Sequence, residues 1–175
     1  MTKPYTLAQL AAYADPELDQ HFLVDSDKLR RIIAAAEIMP TDRVLEIGAG
    51  MGTVARELPP RAKLTLVELD SRLIEPLRAA VPAAEVVQAD ALELIHVISF
   101  DVLIGNLPHE VTIEVLRVLP KLDFRTALIT MAENTDLTQL TSVGFRHEIV
   151  TRIGGSDFSP PQDSFAQVVK LWRPR

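Results

Sequence analysis

The chain contains no cysteine, which excludes disulfide bonds and thiolate metal sites from the start. Its four histidines, His21, His96, His109 and His147, are scattered without ligand spacing, and no metal is expected. A surplus of positive charge is also missing. Eighteen lysines and arginines face 24 aspartates and glutamates, a net charge of −6. Surfaces that hold nucleic acid non-specifically are usually basic, so the bulk charge counts against that mode of binding. No apolar stretch approaches the length of a membrane span, and the opening MTKPYTLAQLAAYADPE has no apolar leader core. There are no repeats, low-complexity tracts or linkers either. A cytoplasmic protein without membrane attachment is the expectation.

What is present suits one domain. The 175 residues are 47% hydrophobic and 24% charged, enough apolar material for a real core. The spacing predicts a helix over 6–14, with Thr6 and Gln9 placed as a capping box, and a second over 26–38 capped by Ser26. Apolar runs at 43–48, 63–69, 85–88, 100–106 and 125–131 read as strands. Helical patterns follow several of them: one starting at 51, one over 71–81 with the awkward Pro76 inside it, one over 109–119 and a short one near 135–143. Two last strands, 145–153 and 164–172, are joined by GGSDFSPPQD. Uninterrupted apolar strands alternating with helices predict an α/β fold. Its seven-stranded, mostly parallel sheet is covered on both faces and carries an antiparallel hairpin at one edge.

The chemistry gathers where strands end. In VLEIGAGMG, Gly48, Gly50 and Gly52 follow a strand and precede a helix, and open α/β sheets bind ligands there. The spacing is G-x-G-x-G rather than that of dinucleotide folds. Glu46, two residues before the first glycine, would repel a pyrophosphate but suits a cationic ligand. Glu68 ends the next strand, where a carboxylate accepts from vicinal ribose hydroxyls. Asp90, 22 residues further on, can accept from an exocyclic adenine amine while nearby backbone N–H groups meet a ring nitrogen. Three acids and a glycine loop on one rim describe a pocket for a nucleoside with a cationic, unphosphorylated tail. S-adenosyl-L-methionine fits that description and NAD fits it badly.

The fourth strand ends in IGNLPHE. An amine conjugated to a ring is a poor nucleophile because its lone pair is delocalised. Two oxygen acceptors on its N–H bonds help it pyramidalise and aim the lone pair. The Asn106 side-chain carbonyl and the backbone carbonyl of Leu107 are candidates, with Pro108 fixing the turn and starting the helix. Such catalysis works by positioning and electrostatics, without an obligate base. The alternative is structural: Asn106 caps a helix whose first turn holds Pro108.

Taken together, DQHFLVDSDKLRRII, DRVLEIGAGMGTVARELPPRAKLTLVELDSRLI, VVQADAL and FDVLIGNLPHEVT resemble the rRNA adenine N6-dimethyltransferase family, which includes the macrolide-resistance (Erm) enzymes. SDFSPPQDSFAQVVKL is similar to that family's F-x-P-x-P…S-A-V-V segment. The resemblance spans residues 20–172 and implies a class I, Rossmann-like methyltransferase domain over 1–175, with residues 1–40 as N-terminal helices over the cofactor. It implies cofactor contacts from Gln20, His21, Glu46, Gly48, Gly50, Glu68, Asp90, Ala91 and Asn106. Asn106, Leu107, Pro108 and His109 fall on the catalytic N-L/I-P-Y/F, and His109 and Phe158 on the residues that hold the target base. His109 stands where the family has tyrosine or phenylalanine. The insert after the fifth strand is reduced to MAENTDLTQLTSVGF, and the expectation is of a chain without the family's basic helical C-terminal domain. Two further readings follow from these departures: N-methylation of a small-molecule, peptide or protein amine, or a SAM-binding protein without catalysis.

Overall fold

Alternate residues of each central strand go to opposite faces of the sheet, as the two-residue repeat of a strand requires. Val44, Val102, Ile104 and Leu128 pack in one core; Leu45, Leu103, Ala127 and Ile129 pack in the other. Each fully buried leucine or isoleucine among them stabilises by about 2 kcal/mol. The computed structural model describes residues 5–18, 20–60 and 62–174. Asp19, the first residue of DQHFLVD, lies outside the described residues.

In chain order the elements are α1 (Leu7–Tyr13), β1 (Phe22–Leu23), α2 (Ser26–Ala36), β2 (Arg43–Ile47), β3 (Lys63–Glu68), α3 (Ser71–Ala80), β4 (Glu85–Gln88), α4 (Ala91–Leu94), β5 (Val102–Gly105), α5 (His109–Val118), β6 (Thr126–Ala132), α6 (Thr138–Ser142), β7 (Arg146–Ile153), β8 (Phe158–Ser159) and β9 (Ala166–Trp172). The main sheet has seven strands in the order β4-β3-β2-β5-β6-β9-β7. β2 through β6 pair in parallel, and β9 pairs antiparallel with both β6 and β7. The predicted seven-stranded α/β sheet with its closing antiparallel hairpin is therefore present. α2 and α3 cover one face, and α4 and α5 the other.

Several local expectations need correction. The cap of α2 is Asp25, whose carboxylate accepts from Asp27 N and Lys28 N, and Ser26 is already helical. The helix expected from 51 is reduced to one 3₁₀ turn, Ala55–Glu57, because the backbone spends residues 48–52 in three positive-φ glycines. The short α4 was not foreseen, and Asp90 caps it through Leu92 N. α1 carries the expected Thr6–Gln9 capping box.

A second, two-stranded sheet pairs β1 with β8, Phe22 opposite Ser159 and Leu23 opposite Phe158. It fastens the N-terminal segment across the carboxyl ends of the main strands. Tyr5 donates to the Pro76 carbonyl at 2.6 Å, Ser159 Oγ to the Leu7 carbonyl at 3.1 Å, and Val24 N to the Asp157 carbonyl at 2.9 Å. Leu10, Phe22, Met51 and Leu73 form the small core beneath it.

Candidate active site

The order of strands reverses direction at β2. From there the chain builds outward through β3 and β4 on one side and β5 and β6 on the other. The carboxyl ends on either side of such a point part to leave a crevice. Glu46 is the penultimate residue of β2, Glu68 the last of β3, and Asn106 the residue after β5. A cavity of about 1000 Å³ opens here, and every site residue expected from the sequence lines it: Gln20, His21, Glu46, Gly48, Gly50, Glu68, Asp90, Ala91, Asn106, Leu107, Pro108, His109 and Phe158.

The glycine loop curls over the end of β3. Gly48 N and Ala49 N donate to the Val67 carbonyl, and Gly50 N donates to Glu68 Oε2 at 2.7 Å. Gly48 has φ +66, and a Cβ there would lie 2.4 Å from Leu107 Cδ2. The Leu107 side chain thus sits on the glycine loop, and the two loops pack as one unit. At Gly50, φ +55, a Cβ would meet the Phe22 ring at 2.8 Å, so this glycine admits the N-terminal segment.

Both acids that end β2 and β3 are buried. Glu68, 6% exposed, accepts from Gly50 N and Asp70 N; burial pushes its carboxyl up, and those backbone donors pull the other way. Glu46, 3% exposed, is different. Its Oε2 is buried without a hydrogen-bond partner, and burial, with the Glu68 charge adding to it, pushes its pKa up to about 8. Among the described residues the cavity lining contains Glu17, Glu46, Glu68, Asp70, Asp90 and Glu110 and neither lysine nor arginine. A buried carboxyl oxygen without a partner, in an acid-lined cavity, matches a ligand that brings its own N–H or a positive charge that draws the carboxyl into its ionised form. S-adenosylmethionine, with a cationic sulfonium and an ammonium group, fits; a pyrophosphate does not.

Gln20 and His21 reach the cavity with their polar atoms already engaged. Gln20 Oε1 accepts from Asp15 N at 3.0 Å and its Nε2 donates to Asp70 Oδ2 at 3.1 Å. Arg72 bridges Asp70 and Asp15, and its guanidinium holds the Asp70 carboxyl below the usual range. His21 Nδ1 lies 2.9 Å from the Pro160 carbonyl; because a carbonyl only accepts, Nδ1 carries the proton.

Asn106 does not cap α5. Pro108 occupies the N-cap position, and the Asn106 Nδ2 donates to the His21 carbonyl at 3.2 Å. That bond fixes the amide so that Oδ1 is the end left for another partner. The Leu107 carbonyl accepts from Thr112 Oγ1 at 3.3 Å, which leaves one of its two lone pairs. His109 is exposed at the start of α5. Phe158 lines the cavity but is only 4% exposed. Its ring packs in the core and meets the His21 ring edge-on, with centroids 6.4 Å apart. Phe165, which sequence reasoning did not single out, also lines the cavity. No group of three or more acids and histidines among the described residues is placed to hold a metal, and none of the helices there is long and apolar enough to cross a membrane.

This sheet order, with the glycine loop and acid rim at the switch point, is the class I methyltransferase fold. Residues 13–148 match the family described as ribosomal RNA adenine dimethylase, and the chain belongs to that family. It is 36% identical over 171 residues to a probable ribosomal RNA small subunit methyltransferase A of Methanosarcina mazei, covering 87% of this chain and 63% of that protein. A ribosomal RNA small subunit methyltransferase A of Dehalococcoides mccartyi is 32% identical, covering 100% of this chain and 66% of that one. The crystal structure of a dimethyladenosine transferase from Plasmodium falciparum superposes with a TM-score of 0.80 at 26% identity, covering 88% of this chain and 64% of the other. The 23S rRNA methyltransferase ErmE gives 0.76 at 28% identity, covering 87% and 70%. The chain thus spans 63% of the length of the Methanosarcina mazei relative.

Proposed function

We propose that this chain transfers a methyl group from S-adenosylmethionine to the exocyclic N6 of an adenine in ribosomal RNA. The observation that carries the proposal is the state of Asn106. It sits at the strand end beside the switch point, is released from helix capping, and is held by the His21 carbonyl through Nδ2 so that Oδ1 remains to accept. The cofactor supplies an electrophilic methyl when bound. Glu68 and Asp90 would hold its nucleoside, and Glu46 its cationic end. Asn106 Oδ1 and the Leu107 carbonyl accept from the amine's two N–H groups, which localises the nitrogen lone pair and turns it toward the methyl. The proton lost by the amine leaves to solvent without a dedicated base. Pro108 keeps the two acceptors in register by fixing the turn.

A second acceptor class, a small neutral or cationic amine, is favoured by one observation: the cavity lining bears acids and no lysine or arginine among the described residues. Tritium transfer from labelled S-adenosylmethionine into isolated small-subunit rRNA separates the two. Methylated adenine in the digested RNA is expected, and its absence alongside a labelled small amine would transfer the assignment to the second class.

A further inference from the structure

The loop between β8 and β9 presents a side chain for which the site as described has no use. Phe165 is 71% exposed, and it lines the same cavity as Asn106, Pro108 and His109. Among the described residues, Leu18 and Leu69 are the other large apolar side chains that are both exposed and part of the lining; Phe165 is the most exposed of the three and the aromatic one. Leaving a phenylalanine in water forgoes burial that stabilises most such residues. At the rim of this cavity the exposed ring has a face available to a planar ligand.

The loop that carries it is held in place. Gln162 N donates to the Gly155 carbonyl at 3.2 Å, and a Cβ on Gly155 would fall 1.6 Å from the Gln162 carbonyl oxygen. Only glycine permits that approach. At Gly154 a Cβ would stand 3.9 Å from Phe165 Cε1, so the ring rests beside the glycine pair. The sequence GGSDFSPPQD thus folds back on itself and fixes where Phe165 emerges.

The two residues expected to flank a flat acceptor ring are poorly suited to the task. Phe158 is 4% exposed and packed in the core, so it offers little face. His109 is exposed but presents a smaller ring. We propose that Phe165 is the stacking platform for the methyl acceptor, binding the face of a planar heteroaromatic amine at the cavity mouth and so setting which acceptors are taken. The inference rests on the methyl-transfer reading above and deepens it by naming the residue that grips the face of the ring carrying the acceptor amine.

Stacking on a base is sequence-tolerant and does not involve the cofactor. Phe165→Ala should therefore raise KM for small-subunit rRNA about tenfold or more, with kcat, cofactor affinity by calorimetry and thermal midpoint little changed. Phe165→Tyr should restore the wild-type KM, and Phe165→Leu should not, because it keeps the apolar surface without the ring. A binding measurement stands apart from turnover. Trp172 is the chain's one tryptophan, at the far end of β9, so Phe165→Trp adds a local reporter. With S-adenosylhomocysteine bound, its emission should be quenched by a single-stranded oligonucleotide carrying one unpaired adenine. The same oligonucleotide with that base removed should leave it unchanged. Quenching without methyl transfer by the wild type would support the platform and sink the catalytic reading. Unchanged KM in Phe165→Ala, or equal quenching by the abasic strand, would overturn the platform while leaving methyl transfer intact. Labelling of an aliphatic amine in place of RNA would overturn both.

Discussion

The acids at the strand ends are held differently at the two ends of the sheet, although Asp70, two residues beyond β3, is paired with Arg72. At the amino end, Asp42 is ion-paired with Arg125 and accepts from Met39 N, and Asp101 takes a two-pronged contact from Arg43 at 3.0 Å on each prong. Lys170 reaches Glu37. At the carboxyl end, Glu46 and Glu68 meet neither lysine nor arginine among the described residues, and one oxygen of Glu46 has no partner. Both ends hold a cavity, about 550 Å³ beside Arg43 and Arg125 and about 1000 Å³ at the rim. Cavity size alone therefore does not mark a site. Charges that are already neutralised serve the fold, whereas a buried acid left without a cation is tolerated where a ligand completes it.

Removing a charge at each end tests this contrast. The largest expected loss of stability is at the amino end. Arg125→Ala strands the 3% exposed Asp42 and should cost about 3 kcal/mol or more, read as a lower urea midpoint, while kcat of the folded fraction stays unchanged. At the carboxyl end, Asn106→Ala should leave the urea midpoint nearly unmoved and slow methyl transfer by about two orders of magnitude, with cofactor affinity kept within a few-fold. Loss of cofactor binding in step with rate would instead make Asn106 a structural strut. Glu68→Ala should weaken S-adenosylmethionine binding at least about tenfold by calorimetry, since it removes charge-assisted acceptors.

The smallest effect is the most diagnostic. The Glu46 carboxyl holds its proton up to about pH 8 in the folded chain, against an ordinary value of 4.5. Between those values the folded state binds the extra proton, so ligand-free stability is fully kept below about 4.5 and declines as pH rises through about 8. A cationic ligand prefers the ionised form. Its binding near pH 7 should therefore release up to one proton, seen as a dependence of the calorimetric heat on buffer, and affinity should climb with pH and level off above about 8. Glu46→Gln should abolish the proton release, flatten the stability slope and weaken the ligand.

Much of this contrast was legible in the sequence, because strand ends in a parallel sheet are marked by where apolar runs stop. Glu46, Glu68, Asp90 and Asn106 each follow such a run, and all four line one cavity. What stayed hidden depended on long-range pairing. β1 and β8 are two residues each, too short for any periodicity, and exist because they meet. Asp25 and Ser26 are both good caps, and only backbone geometry at Asp25 decides between them. Phe158 reads as an available aromatic in the chain, yet β1 lies across it and buries it. Phe165 went unnoticed because a single phenylalanine ahead of an apolar strand reads as the start of that strand.

The clasp formed by the N-terminal segment also dictates an order of assembly. Ser159 bonds a carbonyl 152 residues earlier in the chain, and Pro160 meets a ring 139 residues earlier. Contacts this distant close late, since the intervening chain must first be ordered. On the ribosome, β2 through β6 can collapse while β1 still waits for its partner strand to be synthesised. His21, whose carbonyl holds Asn106, meets the carbonyl of Pro160, in about the last tenth of the chain. A chain ending before β8 would lack both the His21 tether and β9, the strand that joins β7 to the rest of the sheet, so the site is among the last parts of the fold to be completed.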